Sequence, residues 1–101
     1  MKSQFGRKIR TLRVQKNLLL RHVAPMLEMD AAQLSKIEKG LRLLKRNQIP
    51  IIANILNTDS DELFTLWLAD QVYNVIEGEP MADQALKSVS KKIRKEKLSN
   101  D

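Results

Sequence analysis

Five cations within eleven residues, Lys36, Lys39, Arg42, Lys45 and Arg46, form a dense basic group in this chain. Such side chains donate hydrogen bonds and carry positive charge, which suits phosphate oxygens; phosphate contacts need cations but no particular spacing. The segment just before and into this group, residues 30–39, has a finer pattern. With Leu34 and Ile37 turned inward, a helix advancing about 100° per residue points Ala32, Lys36 and Lys39 outward. Ser35 lies beside them, and Ala31 and Gln33 lie on the flanks near the helix start. On such a face Lys36 suits guanine O6 or N7 and Gln33 suits adenine. Ala31 and Ala32 suit a thymine methyl or simply permit close approach. Plainer readings stand beside these: Gln33 closing a capping box, Lys36 as a solvated lysine, and 40–46 as a solvated basic loop. Arg7, Lys8 and Arg10 form a second basic group, some of it ordinary surface charge.

Other chemistry is thin. The chain has no cysteine and one histidine, His22, so disulfides, Cys-based zinc and His-rich metal sites are excluded. His22 reads as a partly exposed surface residue. No nucleophile–base pair is evident, so the chain is not read as an enzyme, and no cofactor or metal is implied. At 101 residues, 43% apolar, one core of packed helices is feasible, and the net charge of +6 favours a polyanionic partner. No apolar run approaches the roughly 20 residues that span a bilayer, and the N-terminus lacks the apolar core of a signal peptide. The expectation is a soluble, cytoplasmic protein with no membrane partner.

Three glycines and three prolines, with few β-branched alternations, predict an all-α chain. Phe5, Ile9 and Leu12 make one stripe of a first helix over about 4–15, with Asn17 as its stop. A second helix, about 20–28, carries Val23, Ala24 and Leu27, and Pro25 should shorten or bend it. Asp30 with Gln33 resembles a capping box for a third helix ending at Gly40. Asn47 is a candidate cap for a fourth, with Ile49, Ile52, Ala53 and Leu56 inward and Pro50 in its first turn. A longer fifth helix, about 61–76, stops at Gly78-Glu79-Pro80. A sixth, about 81–95, aligns Ala82, Ala85, Leu86, Val89 and Ile93, and the charged residues from Lys91 on are expected to fray.

Helices two and three are short and closely joined, the arrangement that presents a helix to DNA. The detailed pattern goes further. Gly6-Arg7-Lys8-Ile9-Arg10-Thr11-Leu12-Arg13, Val23-Ala24, Leu34-Ser35-Lys36-Ile37-Glu38-Lys39-Gly40, Ile52-Ala53 and Leu56 together resemble the Cro/phage-repressor-like (XRE) helix-turn-helix family. That resemblance implies a five-helix lambda-repressor-like domain, here with an additional C-terminal helix, that binds double-stranded DNA and regulates transcription. It places Ala31, Ala32, Gln33, Ser35 and Lys36 at base edges, and Arg21, Lys39, Arg42, Lys45 and Arg46 at phosphates. It also makes Arg13 and Glu38 a structural ion pair between the first and third helices. Leu20 stands where many members have a phosphate-contacting Gln, and Arg21 is the candidate to take its place. Residues 63–70, with Ala85-Leu86, look like a subgroup of small regulators, and some members of the wider family control restriction-modification genes, a role the resemblance therefore allows here.

The fifth helix is apolar on more than one stripe: Phe64, Leu68, Val72 and Val75, then Leu66, Ala69, Tyr73 and Ile76, with Leu63 and Trp67 between. One stripe closes a monomer core, and a broader surface suggests a partner. The expected organisation is a DNA-binding domain over 1–76 and a C-terminal helix and basic tail over 77–101. The expected assembly is a homodimer through helices five and six on a near-palindromic site. An antitoxin, or a protein-interaction module that retains the fold, remains the alternative. The amino-acid sequence does not separate the regulator from the antitoxin; gene neighbourhood would.

Overall fold

The apolar stripes of the first four helices, with Leu63 and Trp67 of the fifth, pack into one core. A computed structural model describes residues 3–99, all-helical with no strand among them. The first helix, α1 (Gln4–Gln15), buries Phe5 and Ile9 and ends as Asn17 turns left-handed at φ 57°. A serine ahead of the first turn caps it, and the cap is built from two distant parts of the chain. The Ser3 hydroxyl accepts from the Gly6 N–H at 2.7 Å and donates to Asp70 Oδ2 at 2.6 Å. Asp70 also accepts from the backbone N–H groups of Gln4, at 2.9 Å, and Phe5, at 3.1 Å. The donors that a helix N-terminus leaves unpaired are therefore satisfied across 66 residues of sequence.

The second helix is shorter than its apolar spacing suggests. α2 (Leu20–Val23) lasts one turn and passes into a 3₁₀ turn, Ala24–Leu27. Pro25 has no N–H to continue the α ladder, so the chain tightens and then leaves at Glu28, in the left-handed region at φ 57°. Val23, Ala24 and Leu27 are all buried as their spacing predicts. Leu20, half-buried, packs against the core; this position is structural here.

Asp30 caps α3 (Ala31–Glu38), and Gly40 follows it at φ 80°. The expected cap at Asn47 is not what starts α4 (Ile49–Ile55). A 3₁₀ turn, Arg46–Gln48, leads in without a side-chain cap, and Pro50 sits in the first turn of α4, where a missing N–H costs nothing. Ile49, Ile52, Ala53 and Leu56 are buried.

α5 (Ser60–Ile76) turns Leu63, Trp67 and Asp70 inward. α6 (Ala82–Ser99) continues past the point where fraying was expected. Its lysines and arginine are good helix formers, no glycine or proline interrupts it, and Lys87 pairs with Asp83 one turn back at 3.1 Å. The fold divides into two compact units between Gln71 and Val72. No helix among the described residues is long and apolar enough to cross a membrane.

Candidate nucleic-acid interface

Local chemistry fixes where α3 begins. The Gln33 N–H donates to Asp30 Oδ1 at 2.8 Å, and the Asp30 N–H donates to Gln33 Oε1 at 3.3 Å. This is the reciprocal capping box that the spacing of the two residues predicts. Three residues then hold the helix from beneath: Leu34, Ile37 and Glu38 are buried. On the other side Ala32, Lys36 and Lys39 are exposed, and Ala31, Gln33 and Ser35 are half-buried. The outward face is therefore small and polar, with one long cation in its middle.

Glu38 is buried because it has a partner. Arg13 Nε donates to Glu38 Oε2 at 2.7 Å and Arg13 Nη2 to Oε1 at 3.0 Å, a two-pronged ion pair between α1 and α3. Arg13 Nη1 donates to the Leu18 carbonyl at 2.7 Å, which ties the pair to the segment entering α2. The hydrogen bond to Glu38 raises the Arg13 pKa above its ordinary value against the opposing effect of burial, so the cation stays charged. α1 and α3 also meet at Gly6, where an added Cβ would lie 2.5 Å from the Glu38 carbonyl oxygen and 2.6 Å from that of Ile37.

The basic segment after α3 is anchored rather than loose. Leu44 is buried, and its carbonyl accepts from Trp67 Nε1 at 2.8 Å. Gln48 makes a bridge that the sequence reading missed: its Oε1 accepts from the Lys45 N–H at 3.0 Å and its Nε2 donates to the Leu27 carbonyl at 3.0 Å. Lys45 is thereby linked to the end of the α2 3₁₀ turn. Arg46 lies within the 3₁₀ turn, not a loop, and its guanidinium stacks 5.3 Å from the Trp67 ring centroid and 5.6 Å from that of Phe64. Cation–π stacking of this kind restrains the side chain while leaving its charge available. Arg21, Arg42, Lys45 and Arg46 are all exposed, as is His22. In the second basic group Lys8 is engaged with Glu62 at 3.2 Å.

A short helix pair, a capped outward helix and an anchored basic segment make a scaffold with a known counterpart. A family model described as a helix-turn-helix domain matches residues 4–66. The chain belongs to this helix-turn-helix domain family. The comparisons with curated proteins and with solved structures give no match. A helix-turn-helix domain suggests DNA as a partner, and the match runs from the first residue of α1 into α5. The residues that sequence reasoning missed, Ser3, Gln48 and Asp70, all support this helix-turn-helix scaffold. Ser3 had a local signal, a hydroxyl residue just before a helical stripe. Asp70 had none, because its partners lie far away in sequence; Gln48 had only its three-residue spacing from Lys45, since its other partner, the Leu27 carbonyl, is distant.

Proposed function

We propose that the chain is a sequence-specific regulator of transcription that lays α3 in the major groove of duplex DNA. The reading is carried by one observation: α3 is capped and held by three buried residues, while its opposite face offers only Ala31, Ala32, Gln33, Ser35 and Lys36 before the exposed cations begin. Small residues let a helix approach base edges closely, and one central lysine supplies a donor pair for guanine. Gln33 reads adenine with both amide atoms only by giving up its bond to the Asp30 N–H. Lys36 therefore carries most of the discrimination.

Arg21, Lys39, Arg42, Lys45 and Arg46 serve the phosphates. Arg46 is the strongest member, because aromatic stacking restrains its side chain before DNA arrives, while the Gln48 bridge fixes the backbone that carries Lys45. The finer family reading is a Cro/phage-repressor-like regulator acting on its own operon or on a neighbouring modification gene. It is supported by the Arg13–Glu38 pair, which that resemblance implies. The operator is near-palindromic, bound by a homodimer through helices five and six with recognition helices about 34 Å apart. Exposed Leu68, Val72 and Tyr73 on α5 support the dimer.

Selection of bound duplexes from a random pool tests the whole reading and reports symmetry and half-site spacing together. Enrichment of no sequence at about 0.15 M salt overturns it in favour of an interaction module. With an operator in hand, Lys36→Ala changes preference at one base pair by about 1–3 kcal/mol. A uniform loss on every duplex would move Lys36 to the phosphate group. Lys45→Ala and Arg46→Ala each weaken binding to all duplexes and flatten the slope of log K against log salt by about 0.9. An unchanged slope removes that residue from the phosphate contacts.

A further inference from the structure

Four helix ends among the described residues close in the same way. A residue with positive φ follows the helix: Asn17 at 57°, Glu28 at 57°, Gly40 at 80° and Asn57 at 51°. The next residue turns its N–H back to a carbonyl five positions earlier. Leu18 donates to Arg13 at 3.1 Å, Met29 to Ala24 at 3.2 Å, Leu41 to Lys36 at 2.9 Å and Thr58 to Ala53 at 2.9 Å. In this Schellman closure the returning residue commonly makes an apolar contact five or six positions back. Three of the four have an apolar residue there: Leu12 for Leu18, Val23 and Ala24 for Met29, Ile52 and Ala53 for Thr58. Those three returning residues are half-buried, and Leu18 and Met29 pack against the core. Leu41 finds Ser35 and Lys36 instead, and it is 74% exposed.

We propose that Leu41 is a DNA contact: its side chain packs on the apolar face of a deoxyribose, between the phosphates held by Lys39 and Arg42. This rests on the placement of α3 in the groove and adds a contact made without charge or hydrogen bonds. The closure sets Leu41 alongside Ser35 and Lys36, on the side of α3 that meets DNA. Leu41 stands at the C-terminal end of α3, whereas the N-terminal residues of such a helix reach the bases. The sugar–phosphate wall of the groove is therefore its neighbour. Lys39 and Arg42 flank it in sequence, and both are exposed. Along one strand, successive phosphates are separated by a sugar, whose C–H groups suit a leucine. The turn is also set before DNA arrives. A Cβ at Gly40 would lie 2.8 Å from Ser3 Cβ, so the chain passes hard against the residue that caps α1. Leu44, on the other side of Leu41, is buried. The backbone that presents Leu41 thus needs little ordering on binding.

Fluorescence anisotropy with two labelled duplexes tests this, one of the sequence enriched from the random pool and one of mixed sequence. Leu41→Ala is expected to weaken binding to both by about tenfold, as the burial of one apolar side chain is lost. The slope of log K against log salt stays that of the parent, because no phosphate contact is removed. Leu41→Met keeps the apolar surface and recovers most of the loss. Arg42→Ala is the control, and it flattens the slope by about 0.9. Thermal unfolding of L41A should match the parent, since the side chain is exposed; a fall in Tm alongside the lost affinity would make Leu41 a brace of the turn and overturn the proposal. Replacing thymines of the enriched duplex one at a time by deoxyuridine removes single methyl groups. If the L41A penalty vanishes on one such duplex, a base methyl and not a sugar is the occupant, and the proposal fails. If L41A binds DNA as the parent does but self-associates more weakly in sedimentation, the side chain meets a second copy instead. If R42A flattens the slope while L41A is parental, the DNA reading stands and the sugar contact falls. A parent chain that binds neither duplex overturns both.

Discussion

Gly6→Ala lowers the unfolding free energy by about 2–3 kcal/mol, although alanine is the better helix former. Intrinsic propensity favours alanine by about 1 kcal/mol inside a helix. Against it stands the new Cβ, which would lie 2.5 and 2.6 Å from two carbonyl oxygens of α3. Those atoms are backbone, at the end of a capped helix, and no flexible side chain can move aside for them. Relief requires α1 and α3 to separate by most of an ångström, and the Arg13–Glu38 bonds, which bridge the same two helices, lengthen with them. The steric term therefore exceeds the propensity gain. For a domain of this size the loss appears as a fall in Tm of roughly 10–20 °C, read by thermal or urea unfolding. Gly78→Ala is the informative control. It meets no atom within 4 Å but has φ of 76°, so it carries only the left-handed backbone cost, about 1–2 kcal/mol. A Gly6→Ala protein as stable as the parent would mean that the helices are not packed through this glycine.

The contrast between these glycines marks what a sequence can disclose. Features set by neighbours were legible. The Asp30–Gln33 box is a three-residue pattern, the buried stripes of α1 and α4 follow from helical spacing, and the outward set Ala32, Lys36 and Lys39 follows from the angle per residue. Pro25 was legible as a disturbance, but the one-turn α2 and its 3₁₀ continuation depend on how the chain recovers from a missing donor. Asn47 carried the composition of a cap, yet a 3₁₀ turn and Pro50 made a cap unnecessary. The anchoring of the basic segment was not legible at all. Leu44 meets Trp67, Arg46 stacks on Phe64 and Trp67, and Asp70 caps the helix that starts after Ser3; each joins residues that only the fold brings together. Charge and spacing named the cations of the interface, but the means of holding Arg46 lay in an aromatic pair elsewhere in the chain.

Glu38→Ala removes about 3–5 kcal/mol of stability, a cost greater than the ion pair itself would contribute. Arg13 and Glu38 are each only 8% exposed. Deleting the carboxylate strands a guanidinium that burial has already stripped of water. The bond from Arg13 Nη1 to the Leu18 carbonyl survives the change, which places the loss nearer the lower end of that range. If the penalty comes from the stranded charge, removing both charges should repair it. The double variant R13M/E38L, apolar and of similar volume, is expected to recover most of the stability lost by E38A. A double-mutant cycle in urea measures the coupling, and additive losses would show that the two residues act independently. DNA binding gives a second, separate reading. Arg13 already spends its charge on Glu38, so the folded double variant should bind the operator with the parent's salt slope. The slope should not fall by the roughly 0.9 that marks a lost phosphate contact. A flattened slope would turn Arg13 from a strut between α1 and α3 into a phosphate ligand, and the orientation of α3 would then need another source.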